Sequence, residues 1–188
     1  MKTIVIFASG NGTNAEEIIL FFKKMNQRTV VAIGSNNLDA KVLSRAKKHN
    51  VNTFTFTINE LNNGSVLSVL NEINPNLIVL AGFLLKFPKS ITDVFKDRIL
   101  NIHPALLPKY GGKGMYGNFV HEAVFFNKEK ESGITIHYVN ENYDEGDIIF
   151  QQSINIEDCN SADEIAKRIH QLEYKYFPEI INKVLDKQ

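Results

Sequence analysis

The stretch Thr3-Ile4-Val5-Ile6-Phe7-Ala8-Ser9-Gly10-Asn11-Gly12-Thr13-Asn14 decides the fold of this chain. Its first part, residues 3–8, is a continuous apolar run, which predicts a strand buried on both faces of a parallel sheet. The glycines then predict a turn, and residues 14–24 predict a helix with one apolar face. A buried strand, a glycine turn and an amphipathic helix together form the opening unit of an α/β fold.

Strand and helix patterns continue to alternate through the first two thirds of the chain. Further strands are predicted at residues 29–35, 53–57, 76–81 and 99–102, and further helices at residues 39–50, 60–73 and 88–95. Pro88 opens the last of these helices, at a position where proline is well tolerated. The alternation predicts a Rossmann-like, doubly wound α/β fold with a mostly parallel central sheet and flanking helices.

The pattern changes after Pro108. Residues 111–117 contain four glycines and predict a mobile loop. The remaining predicted elements are a helix, two strands joined by a polar turn, and a long amphipathic helix in which Pro178 is a candidate position for a break, at residues 118–127, 133–139, 147–154 and 161–185. We see no linker or repeat, and therefore expect a single domain over residues 1–188.

The composition excludes several classes of partner. Lys and Arg together number 21, as do Asp and Glu, so the formal net charge is zero and no field attracts nucleic acid non-specifically. The single cysteine, Cys159, has no partner for an intramolecular disulfide, which fits a reducing cytoplasm. No segment has the pattern of a signal peptide or a membrane span. We expect a soluble, cytoplasmic protein that binds neither nucleic acid nor membrane.

The glycine turn formally matches the dinucleotide fingerprint G-x-G-x-x-[G/A] over residues 10–15. An NAD site also needs an acidic residue at the end of the second strand, where this chain has Ser35, Asn36 and Asn37. The turn therefore predicts a site for a phosphate group, because amides at a helix start favour anions. The alternative is a plain tight turn before a capped helix.

The segment Asn101-Ile102-His103-Pro104 places an amide and an imidazole two residues apart. In extended backbone both side chains face the same side, and Pro104 keeps His103 out of helical geometry. This pair suits stabilisation of an oxyanion and proton transfer. The alternative is a strand end whose histidine only binds backbone.

An aspartate close to His103 would raise the proton affinity of the imidazole. The polar turn at residues 142–147 offers Asp144, Glu145 and Asp147, and the residue pattern alone does not choose among them. Each of the three also fits a solvated turn residue.

The remaining histidines carry weaker signals. His49 and His170 are predicted to be surface or packing residues, His137 lies mid-strand where it could face inward behind the site, and His121 is ambiguous. No two histidines have the spacing of metal ligands, so we predict no metal.

Four segments in this order resemble one family: residues 10–14, 80–83, 101–110 and 144–146. The family is phosphoribosylglycinamide formyltransferase, the folate-dependent enzyme of purine synthesis. The resemblance implies transfer of the formyl group of the co-substrate 10-formyltetrahydrofolate to the amine of 5'-phosphoribosylglycinamide, without a metal. It implies small molecules as the only partners, and a monomer or a homodimer. It also implies an N-terminal half that binds the ribonucleotide phosphate and a C-terminal half that completes the folate cleft.

The resemblance also implies roles for individual residues. The catalytic set would be Asn101, His103 and Asp144. The ribonucleotide would be bound by Gly12, Thr13, Asn14 and Glu173, and the folate by Leu84, Leu85, Lys86 and Phe87 together with Asn101. Two features depart from the family. Residues 63–66 lack an arginine that often helps to hold the folate, and the loop at residues 111–118 is longer and richer in glycine.

Three rival functions remain. A methionyl-tRNA formyltransferase should carry an additional C-terminal RNA-binding domain and a basic surface, whereas this chain is neutral and is predicted to end with a helix. A formyltetrahydrofolate hydrolase should carry an N-terminal regulatory domain, whereas the first strand here begins at Thr3. A non-catalytic nucleotide-binding module of the Rossmann type would share the fold alone.

Overall fold

A computed structural model describes residues 1–25 and 28–188. Within these residues the strands are β1 (Lys2–Phe7), β2 (Arg28–Ser35), β3 (Asn52–Thr55), β4 (Leu77–Leu80), β5 (Ile99–His103), β6 (Glu131–Tyr138) and β7 (Ile148–Asn155). The helices are α1 (Thr13–Lys23), α2 (Lys41–Lys48), α3 (Ile58–Asn62), α4 (Ser65–Ile73), α5 (Lys89–Val94), α6 (Asn118–Phe126) and α7 (Ala162–Lys187). None of these helices combines the length and the apolar character needed to cross a membrane.

The strands form one sheet in the order β3-β2-β1-β4-β5-β6-β7. Strands β1 to β5 pair in parallel, whereas β6 pairs antiparallel with β5, and β7 antiparallel with β6. From β1 the chain winds outward to β3 and then returns to β4 on the other side of β1. This reversal opens a crevice at the carboxyl ends of β1 and β4. The predicted doubly wound, mostly parallel sheet is confirmed.

Strand β1 is buried on both faces, as its apolar run predicts. Ile4 and Ile6 belong to a core that includes the apolar faces of α1 and α7, whereas Val5 and Phe7 belong to a second core on the opposite face. The Phe7 ring is surrounded by four other rings at centroid distances of 4.9 to 5.7 Å, those of Phe54, Phe56, Phe83 and Phe87. Helices therefore cover both faces of the sheet, which holds β1 rigidly at its centre.

The structure corrects one helix prediction and decides a second point that the sequence left open. The single helix predicted at residues 60–73 is two helices, α3 and α4, because Gly64 adopts a left-handed φ of 97° between them. Thr57 and Glu60 form a capping box that starts α3. Helix α7 runs through Pro178 without a break, since residues on both sides of the proline are anchored in the core. These differences leave the sheet unchanged.

Strand β5 extends one residue beyond its predicted end and includes His103. Asn101 and His103 are therefore both strand residues, and they pair with His137 and Thr135 of β6. Strand β6 ends beside Leu100, near the start of β5, and the turn that follows folds back so that Asp144 reaches Asn101 and His103. The fold thereby places a glycine loop, a strand end and a polar turn around one crevice.

Candidate active site

The crevice contains a cleft of about 540 Å³. It is lined by the glycine loop after β1, the segment after β4, the end of β5, the loop before α6, the β6–β7 turn and one face of α7. The cleft brings together all the candidate site residues of the sequence: Gly12, Thr13, Asn14, Leu84, Leu85, Lys86, Phe87, Asn101, His103, Asp144 and Glu173. No cluster of His, Cys, Asp or Glu among the described residues is arranged to hold a metal ion.

The glycine loop forms one end of the cleft, directly before α1. Gly12 has φ 73°, and a Cβ there would lie 2.4 Å from the Val42 side chain. Arg45 of α2 donates to the backbone oxygen of Asn11 at 2.8 Å and is paired with Glu16. The first amides of a helix have no intrahelical acceptor and carry the positive end of the helix dipole. Contacts with α2 thus hold the loop in place, and the amides at the start of α1 suit an anion in the cleft.

At the centre of the cleft, Asp144 meets the two polar side chains of β5. Its Oδ2 lies 3.5 Å from Nδ1 of His103, and its Oδ1 accepts a hydrogen bond from Nδ2 of Asn101 at 3.3 Å. The Gly112 amide also donates to Oδ2, at 2.9 Å. The structure therefore selects Asp144 from the three acids of the turn, since Glu145 and Asp147 are exposed.

His103 is held at both ring nitrogens. Its Nε2 lies 2.7 Å from the backbone oxygen of Tyr110. Because a carbonyl oxygen only accepts, Nε2 carries a hydrogen, and Nδ1 faces Asp144. The imidazole does bind backbone, as the simpler interpretation of the sequence expected, yet its other nitrogen remains available for proton transfer.

Burial has opposite consequences for the two titratable partners. It lowers the pKa of His103 below its ordinary value, and the opposing effects of Asp144 and the Tyr110 carbonyl do not offset it. Burial raises the pKa of Asp144, but the contacts with His137, His103 and the Gly112 amide bring that pKa below its ordinary value. The aspartate raises the proton affinity of His103 as expected, but its effect is smaller than that of burial. The lowered pKa values leave His103 a neutral imidazole and Asp144 a carboxylate at neutral pH, so Nδ1 of His103 can accept a proton.

His137 faces inward from β6, behind the catalytic candidates. Its Nδ1 donates to the Tyr138 backbone oxygen at 2.8 Å, which leaves Nε2 as an acceptor 3.2 Å from Nδ2 of Asn101. Nε2 also lies 3.6 Å from Oδ1 of Asp144. His137 therefore helps to orient the Asn101 amide.

Glu173 of α7 lies beside the glycine loop and is buried. Its Oε2 accepts hydrogen bonds from Asn14 at 2.9 Å and from His170 at 2.8 Å. The prediction for His170 was incomplete, because the residue lines the cleft. The spacing of three residues between His170 and Glu173 on a helix could have revealed that they share a face. His49, by contrast, pairs with Glu16 away from the cleft.

His121 of α6 also lines the cleft and is 1% exposed. Among the described residues, its Nδ1 and the Oδ1 of Asn14 are buried without a hydrogen-bond partner. Burial, reinforced by the charge of His170, lowers the pKa of His121 to about 4. His121 is thus neutral at ordinary pH.

The far end of the cleft is formed by the segment after β4. The Leu84 amide donates to the Ser9 hydroxyl at 3.0 Å, Phe87 is buried, and Lys86 is exposed. Nζ of Lys86 lies 5.7 Å from the centre of the Tyr143 ring. This end combines an apolar interior with a cation at its mouth.

Known proteins resemble this chain over nearly its whole length. A family model described as formyl transferase matches residues 2–181. Phosphoribosylglycinamide formyltransferase of Bacillus subtilis is 33% identical over 98% of this chain and 95% of its own length. The chloroplastic enzyme of that name from Arabidopsis thaliana is 32% identical over 100% of this chain, which spans 66% of the plant protein. A crystal structure of the enzyme of that name from Bacillus halodurans superposes with a TM-score of 0.89, at 32% identity, over 99% of this chain and 96% of that one.

We predict that His121→Gln weakens the acid sensitivity of folding. The unfolded chain protonates His121 near pH 6.5, whereas the folded chain does so only near pH 4. Between these values the unfolded state binds more protons, so the free energy of unfolding falls as the pH falls. The variant lacks this contribution and should lose less stability from pH 7 to pH 4.5, by on the order of 2 kcal/mol. Urea unfolding at both pH values measures the difference, and equal losses in variant and wild type would contradict the prediction.

Proposed function

The chain belongs to the formyl transferase family, and we propose that it transfers the formyl group of 10-formyltetrahydrofolate to the amine of 5'-phosphoribosylglycinamide, in purine biosynthesis. The observation that carries this proposal is the meeting of Asp144 with both Asn101 and His103, in a cleft that has an anion-binding loop at one end. The relatives that bear this enzyme's name support the choice of substrates.

The chemistry follows from the central three residues. The substrate amine attacks the formyl carbon, and neutral His103 accepts the amine proton at Nδ1. The imidazolium is stabilised by Asp144, and together with the Asn101 amide it donates to the oxyanion of the tetrahedral intermediate. His103 then returns the proton to N10 of the folate as the bond between N10 and the formyl carbon breaks. Atoms and charges balance without a metal.

The ribonucleotide occupies the end of the cleft at the glycine loop. In this proposal its phosphate accepts hydrogen bonds at the start of α1, from Gly12, Thr13 and Asn14. Glu173 accepts from the ribose hydroxyls, since a carboxylate has more acceptor sites than Asn14 and His170 use. The amine then points toward the centre of the cleft.

The folate occupies the opposite end, along Leu84, Leu85, Lys86 and Phe87, and its formyl group meets Asn101. The apolar interior suits the pterin ring, while the exposed ammonium of Lys86 suits the carboxylates of the folate glutamate. Lys86 would thereby take the part of the arginine that residues 63–66 lack. The two halves of residues 1–188 then act as one formyltransferase domain.

We also propose the partners, the compartment and the oligomeric state of the enzyme. Its partners are small molecules rather than nucleic acid, which agrees with the zero net charge. The free thiol of Cys159 suits a reducing compartment, for which we propose the cytoplasm, in contrast to the relative named as chloroplastic. We propose a monomer or a homodimer.

The first test of this proposal is loss of turnover on removing either titratable partner. His103→Ala and Asp144→Asn should each lower kcat by at least about a hundredfold, because each loses transition-state stabilisation. Both variants should still bind the ribonucleotide in calorimetry, since neither residue is assigned to the phosphate or the ribose. His49→Ala, which removes an imidazole outside the cleft, serves as the control. Turnover close to wild type in either cleft variant would refute the assignment.

The second test separates two neighbouring lysines. Lys89 pairs with Asp93 at 3.2 Å and Glu141 at 3.3 Å, whereas the contact of Lys86 is the Tyr143 ring. Lys86→Gln should raise KM for the folate roughly fivefold, as expected for one exposed charge pair, and leave kcat unchanged. Lys89→Gln should change neither. With a folate analogue that lacks the glutamate, Lys86→Gln and the wild type should have the same KM. Equal changes of KM in Lys86→Gln and Lys89→Gln would contradict the role of Lys86.

A further inference from the structure

The acceptor that fixes His103 belongs to a residue in unusual backbone geometry. Tyr110, whose backbone oxygen lies 2.7 Å from Nε2 of His103, has φ 58°. This left-handed conformation is unfavourable for a residue with a bulky side chain and persists only where the surroundings enforce it. The orientation of the carbonyl therefore depends on whatever holds Tyr110.

The side chain of Tyr110 supplies that restraint. Its hydroxyl donates to Oε1 of Glu129 at 2.9 Å, and the same oxygen accepts from Nζ of Lys109, also at 2.9 Å. The hydrogen bonds from Lys109 and Tyr110 lower the pKa of Glu129, so its side chain is a carboxylate. Glu129 lies between α6 and β6, so the contact joins the two ends of the segment that contains the glycine-rich loop.

We propose that Tyr110 and Glu129 are positioning residues for His103. Glu129 holds the Tyr110 hydroxyl, Tyr110 thereby keeps its carbonyl against Nε2, and the imidazole exchanges its proton at Nδ1, on the side of Asp144. The inference deepens the proposed function, on which its catalytic part rests. Neither residue is assigned a contact with substrate.

The alternative tautomer shows why this restraint matters. With its hydrogen on Nδ1, a neutral His103 would turn the lone pair of Nε2 toward the Tyr110 oxygen, and two acceptors would face each other at 2.7 Å. In the tautomer with its hydrogen on Nε2, the lone pair of Nδ1 faces Oδ2 of Asp144 at the longer distance of 3.5 Å, so the closer carbonyl decides the tautomer as long as it stays in place. If Tyr110 is released, both tautomers become accessible, and only one of them presents a free Nδ1 to the substrate amine.

The test begins with Tyr110→Phe, which keeps the ring and removes only the hydroxyl. Nitrogen-15 NMR of the ligand-free protein should show neutral His103 protonated at Nε2 in the wild type and a mixture of tautomers in the variant. In the formyl-transfer assay kcat should fall roughly tenfold with both KM values within about twofold, as expected for a misoriented catalytic group. The limb of the pH profile of kcat that reports His103 should move to lower pH, because the Tyr110 carbonyl raises the pKa of His103.

Two further variants separate positioning from a general loss of structure. Glu129→Gln retains an acceptor oxygen for Tyr110 and should behave like the wild type, whereas Glu129→Ala should reproduce the Tyr110→Phe result. Lys109→Met is the matched control, because it removes the other donor to Glu129 from an exposed position. An unchanged tautomer and pH profile in Tyr110→Phe, or equal effects of Lys109→Met, would overturn the proposal. The NMR measurement needs no substrate. If the tautomer changes in Tyr110→Phe but the wild-type protein shows no formyl transfer, the positioning role is supported and only the proposed function is refuted.

Discussion

The rest of the site depends on the contacts of the Asp144 carboxylate, whose side chain is only 10% exposed. A carboxylate away from water is stable only where hydrogen bonds and charges compensate its lost hydration. Here the Asn101 side chain and the Gly112 amide donate hydrogen bonds to the carboxylate, and the imidazoles of His103 and His137 lie 3.5 and 3.6 Å from its oxygens. The four partners come from three parts of the chain, so one side chain links the end of β5, strand β6 and the loop before α6.

The sheet topology makes this meeting possible. The parallel strands leave a crevice at the point where the winding direction reverses, and the glycine loop lies at that point. The added antiparallel hairpin β6–β7 pairs with β5, and its connecting turn folds back so that Asp144 contacts Asn101 and His103. A Cβ at Gly146 would lie 1.7 Å from the Tyr138 backbone oxygen, so the close approach of this turn to β6 requires glycine there. The two ends of the cleft differ: the end at the glycine loop suits an anion, and the end at the segment after β4 suits an apolar ring.

Local patterns predicted most of the fold, because periodicity and glycine positions act within a few residues. Strand β1, the loop after it and the shared face of Asn101 and His103 followed from such patterns. The choice of Asp144 over Glu145 did not, since Asp144 meets Asn101 across 43 positions in the sequence. The division of the helix at Gly64 was visible in the sequence and was missed, as was the shared face of His170 and Glu173. The residues alone indicated phosphate binding and proton transfer, and the family resemblance supplied the substrates.

The central claim is that this cleft moves a formyl group from a folate to a phosphorylated amine. The most direct measurement uses 10-formyltetrahydrofolate labelled with carbon-13 in the formyl group, incubated with the enzyme and 5'-phosphoribosylglycinamide. The account predicts that NMR finds the label in the formamide of N-formylglycinamide ribonucleotide. Two results would contradict this claim. The label is released as formate, or it stays on the folate although the enzyme is folded and both ligands are bound.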